Sequence, residues 1–257
     1  MKYVFFDCFA GFTAPMAAAA LADMTAGGEL FSKIAASLPN LGGKICEVKR
    51  CSMEAAIAEF SLNCQSEKIT SDEILLLCSQ TAVGKYAHSQ LERFYAVRAE
   101  ARSIKPADAV FNLATELPII ASAAFVFETL FSLEAEKIYV SKILCSNAHR
   151  LGENGFSPFT TAETVYTCKK HKLDTSASQI EAELTTEDGA ALLASLGATI
   201  KASPLGNIIK IGYGAGKEDF ANTPNILRGV WGDEDEGAIV FEAELANLFT
   251  EFAAMEA

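Results

Sequence analysis

Short apolar runs separated by glycine and proline in the first quarter of the chain are typical of a strand, two helices and a hairpin. The run "KYVFFDCF" is aromatic-rich and closed by Gly11, which predicts a buried strand. Pro15 suits the first turn of a helix, because its missing N–H costs nothing there, and the alanines after it continue that helix to Gly27. A second helix over residues 29–38 and two strands that meet near Cys51 complete the unit.

In the middle of the chain, apolar residues recur at helical spacing over longer stretches, which predicts helices. Thr70 and Glu73 fit a capping box, in which the threonine hydroxyl accepts from a helical N–H and the glutamate reaches back to the cap. One apolar stripe predicts a helix over residues 85–104, and another predicts a helix over residues 119–133. The segment "KIYVSKIL", residues 137–144, predicts a strand.

The last third repeats the order of the first. Residues 146–165 contain glycine and proline and are predicted as a loop, whereas "SQIEAELT", residues 178–185, alternates like a strand. "TTEDGAALLASLG" predicts a helix with a threonine cap, an acidic first turn and a glycine stop. "NIIKIGYGAG" and "PNILRGVWGD" predict two further strands.

We therefore predict an α+β (mixed α/β) fold, in which two β-α-β-β units flank a helical middle section. The predicted parts of the main region, residues 1–232, are residues 1–66, 67–145 and 146–232. Residues 233–257 are predicted to be an acidic link and an amphipathic helix that docks on its own domain, on a second copy or on a partner subunit. The apolar positions of that helix are Phe241, Leu245, Leu248 and Phe252.

Composition narrows the classes of function. A chain of 257 residues, 50% of them hydrophobic, has enough apolar residues for a core in one or two domains. The net charge of −12 argues against nucleic acid as a partner, because a phosphate backbone needs a basic surface. Seven cysteines without a CxxC motif fit reduced thiols and a cytoplasmic location. Asp7 and the Gly11 turn interrupt the first apolar stretch, and no uninterrupted apolar run reaches the ~18 residues that a transmembrane helix needs, so we expect no membrane partner.

The segment "IGYGAGKED" invites comparison with a phosphate-binding loop. Ile211 and Glu218 stand where such a loop needs glycine and a hydroxyl residue, so the comparison fails. Gly212, Gly214 and Gly216 are then either a strand end where two backbones approach closely or a loop whose bare backbone contacts a ligand. The three histidines show no metal-ligand spacing, which argues against a metal site made by this chain alone.

Two further places combine a helix start with polar side chains. Thr185 and Thr186 either cap the helix that follows them or help to bind an anion there. In the opening stretch, Asp7 lies beside Gly11 and Thr13, and it either caps the turn or holds a metal or ligand. Asp7 is the one candidate for a catalytic group.

Three motifs carry a resemblance to a known family. "FDCFAG", followed by Met16, resembles the opening FDCFAG-[IA]-S-G-D-M of the nickel insertion proteins of the lactate racemase cofactor pathway, the LarC family. "IEAELTTEDGAALL" is similar to the family's G-E-L-V-T-P-T-G-A-A-L-L. "KIGYGAGKEDFANTPNILR", which includes Asn225, is similar to K-I-G-Y-G-A-G-x-[RK]-D-x-x-x-x-P-N-[VI]-L-R. The motifs occur in the family's order across residues 1–232.

The resemblance implies a function and a ligand. Family members insert nickel into a pyridinium bis-thiocarboxylate mononucleotide, in a CTP-dependent reaction that yields a nickel-pincer nucleotide. CTP binding is attributed to a C-terminal domain that we expect this chain to lack, so we do not expect it to bind CTP. Asp7 and the threonines, glycines and Asn225 named above become candidate residues for binding a pyridinium mononucleotide.

The departures from the family pattern concern metal binding. Ala14 and Pro15 stand where the family has glycine and aspartate. The family's H-F-H-E-V-G-A-V-D-S-I-V-D aligns with Val110–Ser122, and this chain has different residues at its histidine, glutamate and aspartate positions: Val110, Asn112, Leu113, Pro118 and Ser122. Apolar side chains do not coordinate nickel as imidazole and carboxylate do, so we expect this chain alone to bind none.

Two hypotheses follow, and the sequence leaves open whether the chain is an enzyme. The first is a divergent nickel insertion protein that acts in, or derives from, nickel-pincer nucleotide biosynthesis and has eroded metal chemistry. The second is a non-catalytic paralogue that serves as a ligand-binding or protein-interaction module.

Overall fold

The structure, a computed structural model, describes most of the chain. The described residues are 1–63, 67–81, 83–152, 155–204 and 206–234. The predicted C-terminal helix lies outside the described residues.

Seven α-helices lie within the described residues. Their bounds are α1 Ala14–Thr25, α2 Gly28–Ser37, α3 Ser71–Ser79, α4 Lys85–Ala101, α5 Leu113–Ser132, α6 Ala162–Lys170 and α7 Glu187–Ser195. The strands are β1 Lys2–Asp7, β2 Leu41–Arg50, β3 Met53–Leu62, β4 Lys68–Thr70, β5 Val110–Asn112, β6 Lys137–Val140, β7 Ile143–Ser146, β8 His149–Gly152, β9 Gly155–Pro158, β10 Thr175–Ser178, β11 Thr199–Ile200, β12 Asn207–Ala215 and β13 Ile226–Asp233.

One mixed sheet of seven strands organises the fold, and the predicted α+β class is confirmed. Its strand order is β11-β6-β1-β13-β12-β3-β2. Strand β1 runs parallel to β6 and antiparallel to β13, so the first and last described strands are neighbours. Strand β12 is antiparallel to β13, which makes β1 and β12 point in the same direction. The carboxyl ends of β1 and β12 therefore lie together, at the carboxyl edge of the sheet.

Strand β1 is buried on both faces. Val4 and Phe6 belong to the large core that includes the helices, whereas Tyr3 and Phe5 join a smaller cluster with Val230. Successive side chains of a strand point to opposite faces, so a central strand buried on both sides is a continuous apolar run. This explains the unbroken "YVFF" that predicted the strand.

The backbone of helix α1 packs directly against the backbone of strand β12. A Cβ atom on Gly212 would come within 2.2 Å of the Ala20 carbonyl oxygen, and one on Gly214 within 2.0 Å of the Met16 carbonyl oxygen. The buried face of α1 is mostly alanine, which keeps the separation small. Pro15 lies in the first turn of this helix, as predicted, and Thr13 is its N-cap.

Three details of the predicted elements after residue 136 are wrong. Only Ser178 of the predicted strand 178–185 lies in a strand, β10. Ala182 donates to the nearby Ile180 carbonyl, and Leu184 accepts from Phe12 in the loop before α1, so the segment forms no ladder. The strand predicted at 137–144 is two strands, β6 and β7, which belong to different sheets. The predicted loop 146–165 contains the β8–β9 hairpin and the start of α6.

The remaining predicted helices are confirmed with shifted ends. The capping box of Thr70 and Glu73 is present at α3. Helix α5 begins six residues earlier than predicted, at Leu113, with Pro118 inside it. By length and composition α5 is able to cross a membrane, but 67% of its most apolar window is buried inside the protein, as in the core helix of a soluble fold.

Gly214→Ala tests the close approach of α1 and β12. The new methyl group would meet the backbone carbonyl of Met16, so the helix must move, and we expect the free energy of unfolding to fall by about 3 kcal/mol in urea titrations. Gly28→Ala is the matched control, because the nearest atom to its Cβ, on Ile45, is 3.7 Å away. Equal stability of the two variants would contradict the packing.

Candidate functional site

The loop between β1 and α1 is a tight turn held by its neighbours. Gly11 donates its N–H to the Cys8 carbonyl at 3.0 Å and has φ = +101°, a conformation that favours glycine. A Cβ at Gly11 would lie 2.1 Å from the Leu184 carbonyl oxygen. The N–H of Cys8 donates to the Ser141 hydroxyl at 2.8 Å. Burial raises the pKa of the Cys8 thiol well above its ordinary value, so this sulfur stays protonated at neutral pH.

The same loop joins the start of α1 to the start of α7. The N–H of Phe12 donates to the Leu184 carbonyl at 3.1 Å, and the Thr186 N–H donates to the Phe12 carbonyl at 3.3 Å. A carboxylate oxygen of Asp188 accepts from the Ala14 N–H at 3.1 Å. Two helix N-termini thus meet at one place, and Asp188 stabilises the positive end of α1.

Asp188 is the residue that sequence reasoning missed. Ala14 and Pro15 leave α1 without an acid in its first turn, and the carboxylate arrives from α7 instead. An acidic first turn after a threonine cap is the signal in the sequence, but it indicates only the start of the acid's own helix. The contact with Ala14 spans 174 positions in the chain and is set by the fold.

The predicted threonines lie together, and each hydroxyl has a protein partner. Thr13 accepts from the Met16 N–H at 3.2 Å, and Thr186 accepts from the Gly189 N–H at 3.2 Å. Thr185 accepts from the Phe12 N–H at 3.1 Å and donates to the Leu144 carbonyl at 2.8 Å. Capping and loop attachment therefore account for all three.

Asp7, the last residue of β1, has a partner that neither interpretation named. A carboxylate oxygen lies 2.5 Å from Nη2 of Arg228, its cross-strand neighbour on β13. The two side chains are 20% and 41% exposed, so the pair faces the surface in part. The Nε atom of Arg228 is buried and makes no hydrogen bond to a described residue. The partly exposed part of the Arg228 guanidinium is therefore accessible at this edge of the sheet, whereas its Nε is not.

The glycine-rich motif ends at the same edge. Arg228 pairs in register with Tyr213, which places the end of β12 beside Asp7 and Arg228. Gly216 donates its N–H to the Asn225 carbonyl at 2.9 Å, and the Asn225 side chain donates to the Glu218 carbonyl at 2.9 Å. Asn225 and Gly216 therefore close the turn between β12 and β13. The three motifs, far apart in sequence, converge on one edge.

A buried charge cluster lies at the start of α5 and α7. The Tyr95 hydroxyl donates to Glu116 at 2.7 Å, and the Arg98 guanidinium forms an ion pair with the same carboxylate. Arg98 also lies 3.2 Å from Glu187, which Arg102 contacts at 2.8 Å. Burial raises the pKa of the Glu116 carboxyl, and the adjacent Arg98 opposes that rise.

The cluster is stacked on an aromatic ring. The guanidinium carbons of Arg98 and Arg102 lie 4.4 Å and 4.6 Å from the centroid of Phe111, which belongs to β5. The stretch Val110–Ser122 therefore runs directly past two fixed positive charges. Glu116, its only acid, has its charge compensated by Arg98.

The positions aligned with the family's histidines and acids hold other roles. Asn112 caps α5 by accepting from the Ala114 N–H at 3.0 Å, and Val110 is 48% exposed on β5. The Ser122 hydroxyl donates to the Pro118 carbonyl at 2.7 Å. Within the part of the chain that the structure describes, no group of three or more histidine, cysteine, aspartate or glutamate residues is arranged to hold a metal ion.

Comparison with known proteins gives a family match across the chain. A family model described as "Nickel insertion protein" matches residues 4–254. A relative from Geotalea daltonii named "Putative nickel insertion protein" is 26% identical over 247 residues, which cover 92% of this chain and 62% of the relative. A relative of the same name from Wolinella succinogenes is 28% identical over 250 residues, covering 91% and 61%.

A third match is shorter. The relative of that name from Methanosarcina acetivorans is 31% identical over 141 residues, covering 50% of this chain and 35% of the relative. In the longer alignments the chain spans 61–62% of the relatives' length. No solved structure matches the chain.

Glu116→Gln tests the buried charge cluster. The amide still accepts from Tyr95 but no longer compensates Arg98, so we expect the free energy of unfolding to fall by about 3 kcal/mol. Adding Arg98→Met should recover part of that loss, which a double-mutant cycle in urea would measure. Glu100→Gln, in an exposed pair with Lys170, is the control and should cost less than about 1 kcal/mol. Additive effects of the two cluster variants would contradict the pairing.

Proposed function

Because the chain belongs to the nickel insertion protein family, we propose that it is a divergent member whose own nickel-binding chemistry is eroded. It acts in, or derives from, the biosynthesis of a nickel-pincer nucleotide, with nickel as the substrate metal. In this proposal the chain binds the organic precursor or a partner subunit, and another chain supplies the nickel. The six free cysteines among the described residues support a reducing, cytoplasmic location.

One observation carries the proposal. The stretch that holds imidazoles and carboxylates in the family holds Val110, Asn112 and Leu113 here, and its remaining acid, Glu116, is paired with Arg98. A guanidinium beside a carboxylate repels a divalent cation and already uses the lone pairs that would bind it. Nickel retention by this stretch is therefore disfavoured both by ligand type and by charge.

The carboxyl edge of the sheet is the proposed place for the precursor. The three family motifs meet there, and the partly exposed guanidinium of Arg228 is suited to an anionic group of a pyridinium mononucleotide. The proposed contacts are the candidate residues of the sequence: Asp7, Gly11, Thr13, Thr185, Thr186, Gly212, Gly214, Gly216 and Asn225. Since the glycines and threonines have structural partners, Asp7 and Arg228 are the side chains that we expect to make direct contact.

The loss of metal chemistry is tested by restoring the missing ligands. Val110 and Asn112 are both exposed and alternate on β5, so histidines at these positions would share one face. We expect the untagged wild-type protein to retain less than one nickel per chain after nickel loading and desalting, and to be inert in insertion assays with precursor and CTP. Val110→His/Asn112→His should bind nickel at least tenfold more tightly by calorimetry.

The control separates nickel ligation from damage to α5. Val110→Ala/Asn112→Ala removes the same cap from α5 without adding ligands, and it should bind nickel as weakly as the wild-type protein. Stoichiometric nickel on the wild-type protein, or turnover with precursor and CTP, would refute the proposed loss.

A second candidate function is a non-catalytic interaction module. One observation favours it: the threonine hydroxyls of the motifs and the Glu116 carboxylate already have hydrogen-bond or ion-pair partners within the protein. In this alternative the retained motifs maintain only the scaffold. Oligomer or subunit contacts would be made by residues 238–257, which lie outside the described residues.

Asp7→Ala distinguishes the two functions. If Asp7 contacts the precursor, affinity for a carboxylated pyridinium mononucleotide should fall at least tenfold. The free energy of unfolding should fall by less than about 1 kcal/mol, because the pair with Arg228 is partly exposed and screened by salt. Asp174→Ala, an exposed aspartate elsewhere, is the control. Unchanged affinity in Asp7→Ala would favour the interaction module.

A further inference from the structure

A cleft lies beside strands β6 and β11, and Asp7 and Arg228 are not among the residues that line it. It has a volume of about 590 Å³ and is bounded by α4, by strands β6 and β11, and by the end of α7. Glu234, at its floor, donates its N–H to the carbonyl of Met1, before the start of β1, whereas Asp7 is the last residue of that strand. The cleft is therefore separate from the edge where the motifs meet.

Three cationic side chains line this cleft. Lys137 comes from β6, Lys201 follows β11, and Arg93 comes from the exposed side of α4. Two carboxylates, Glu136 and Glu234, are also present, so the lining carries one net positive charge. The chain as a whole carries −12, which makes a locally positive cleft the place to which a small anion is drawn.

Glu234 holds the two lysines near each other. Its carboxylate is 2% exposed and accepts from the Tyr139 hydroxyl at 2.9 Å. Burial raises the pKa of Tyr139 to about 12, so this hydroxyl remains a donor at neutral pH. The Lys137 and Lys201 ammonium groups lie 4.0 Å and 3.8 Å from the carboxylate.

Those distances leave the ammonium donors available. At 3.8–4.0 Å each lysine is attracted by Glu234 but is beyond hydrogen-bond distance, and neither ammonium donates to any other described residue. Both side chains are partly exposed toward the cleft, at 46% and 36%. Two converging ammonium groups with free donors form a preorganised site for an oxyanion.

We propose that this cleft binds the phosphate group of a small molecule through Lys137, Lys201 and Arg93. A phosphate carries up to two negative charges and three acceptor oxygens, which match three cations better than the single charge of a carboxylate does. The volume is within the range of small-molecule pockets, so the rest of the ligand extends toward Tyr86 on α4. The site uses neither Asp7 nor the stretch Val110–Ser122, and it does not depend on nickel insertion.

Titration with inorganic phosphate tests the site. The full chain is titrated at pH 7.5 and constant ionic strength with phosphate, and with acetate as the singly charged comparison, by calorimetry and thermal shift. Phosphate should bind saturably and raise Tm, and acetate should do so at least tenfold more weakly. Lys137→Gln/Lys201→Gln should weaken phosphate binding by at least tenfold.

Matched variants separate the site from general charge. Lys33→Gln/Lys105→Gln changes the net charge equally at two exposed lysines outside the cleft and should leave phosphate affinity within twofold. If the cleft double variant does not fold, Arg93→Gln provides the test, because Arg93 contacts only Gln90 among its described hydrogen-bond partners. Absence of saturable binding by the wild-type protein, or equal affinity in the cleft and control variants, would overturn the proposal.

Discussion

The contact between the backbone of α1 and the backbone of β12 is the constraint on which the rest of the structure depends. Gly212 and Gly214 leave the helix carbonyls room to lie directly on the strand, and the alanines of α1 keep the two elements close. The position of α1 fixes the loop before it, since Thr13 and Phe12 precede the first turn. That loop then binds the segment before α7, which brings Asp188 to the N-terminus of α1.

The carboxyl edge of the sheet and the cleft beside β6 and β11 have different electrostatic organisation. At the carboxyl edge, the helix caps are satisfied within the protein and the partly exposed Arg228 guanidinium is paired with Asp7. In the cleft beside β6, the buried carboxylate of Glu234 attracts Lys137 and Lys201 but lies beyond hydrogen-bond distance of both ammonium groups. A third region, the buried cluster of Arg98 and Glu116, pairs its charges within the protein.

Local signals predicted the parts of the fold that local physics determines. The capping box at Thr70 and the proline start of α1 each depend on residues within one element, and the sequence predicted them. For Gly214 the sequence left two alternatives, a close backbone approach and a ligand contact, and the structure has the close approach to Met16. The alternation at 178–185 predicted a strand, but the direction of backbone hydrogen bonds depends on which segment lies alongside. The pairs Asp188–Ala14 and Arg98–Glu116 join distant residues, so no spacing in the sequence indicates them.

The place of β1 between β6 and β13 has a consequence for how the chain folds during synthesis. Asp7 and Arg228 are 221 positions apart, so the central strand receives one of its neighbours only when almost the whole described chain has been made. Until then "YVFF" and the alanine face of α1 lack the β12–β13 surface on which they pack. Contacts of such long sequence separation form slowly and expose apolar surface meanwhile. Protection of the nascent amino-terminal segment is thus a requirement that the topology itself imposes.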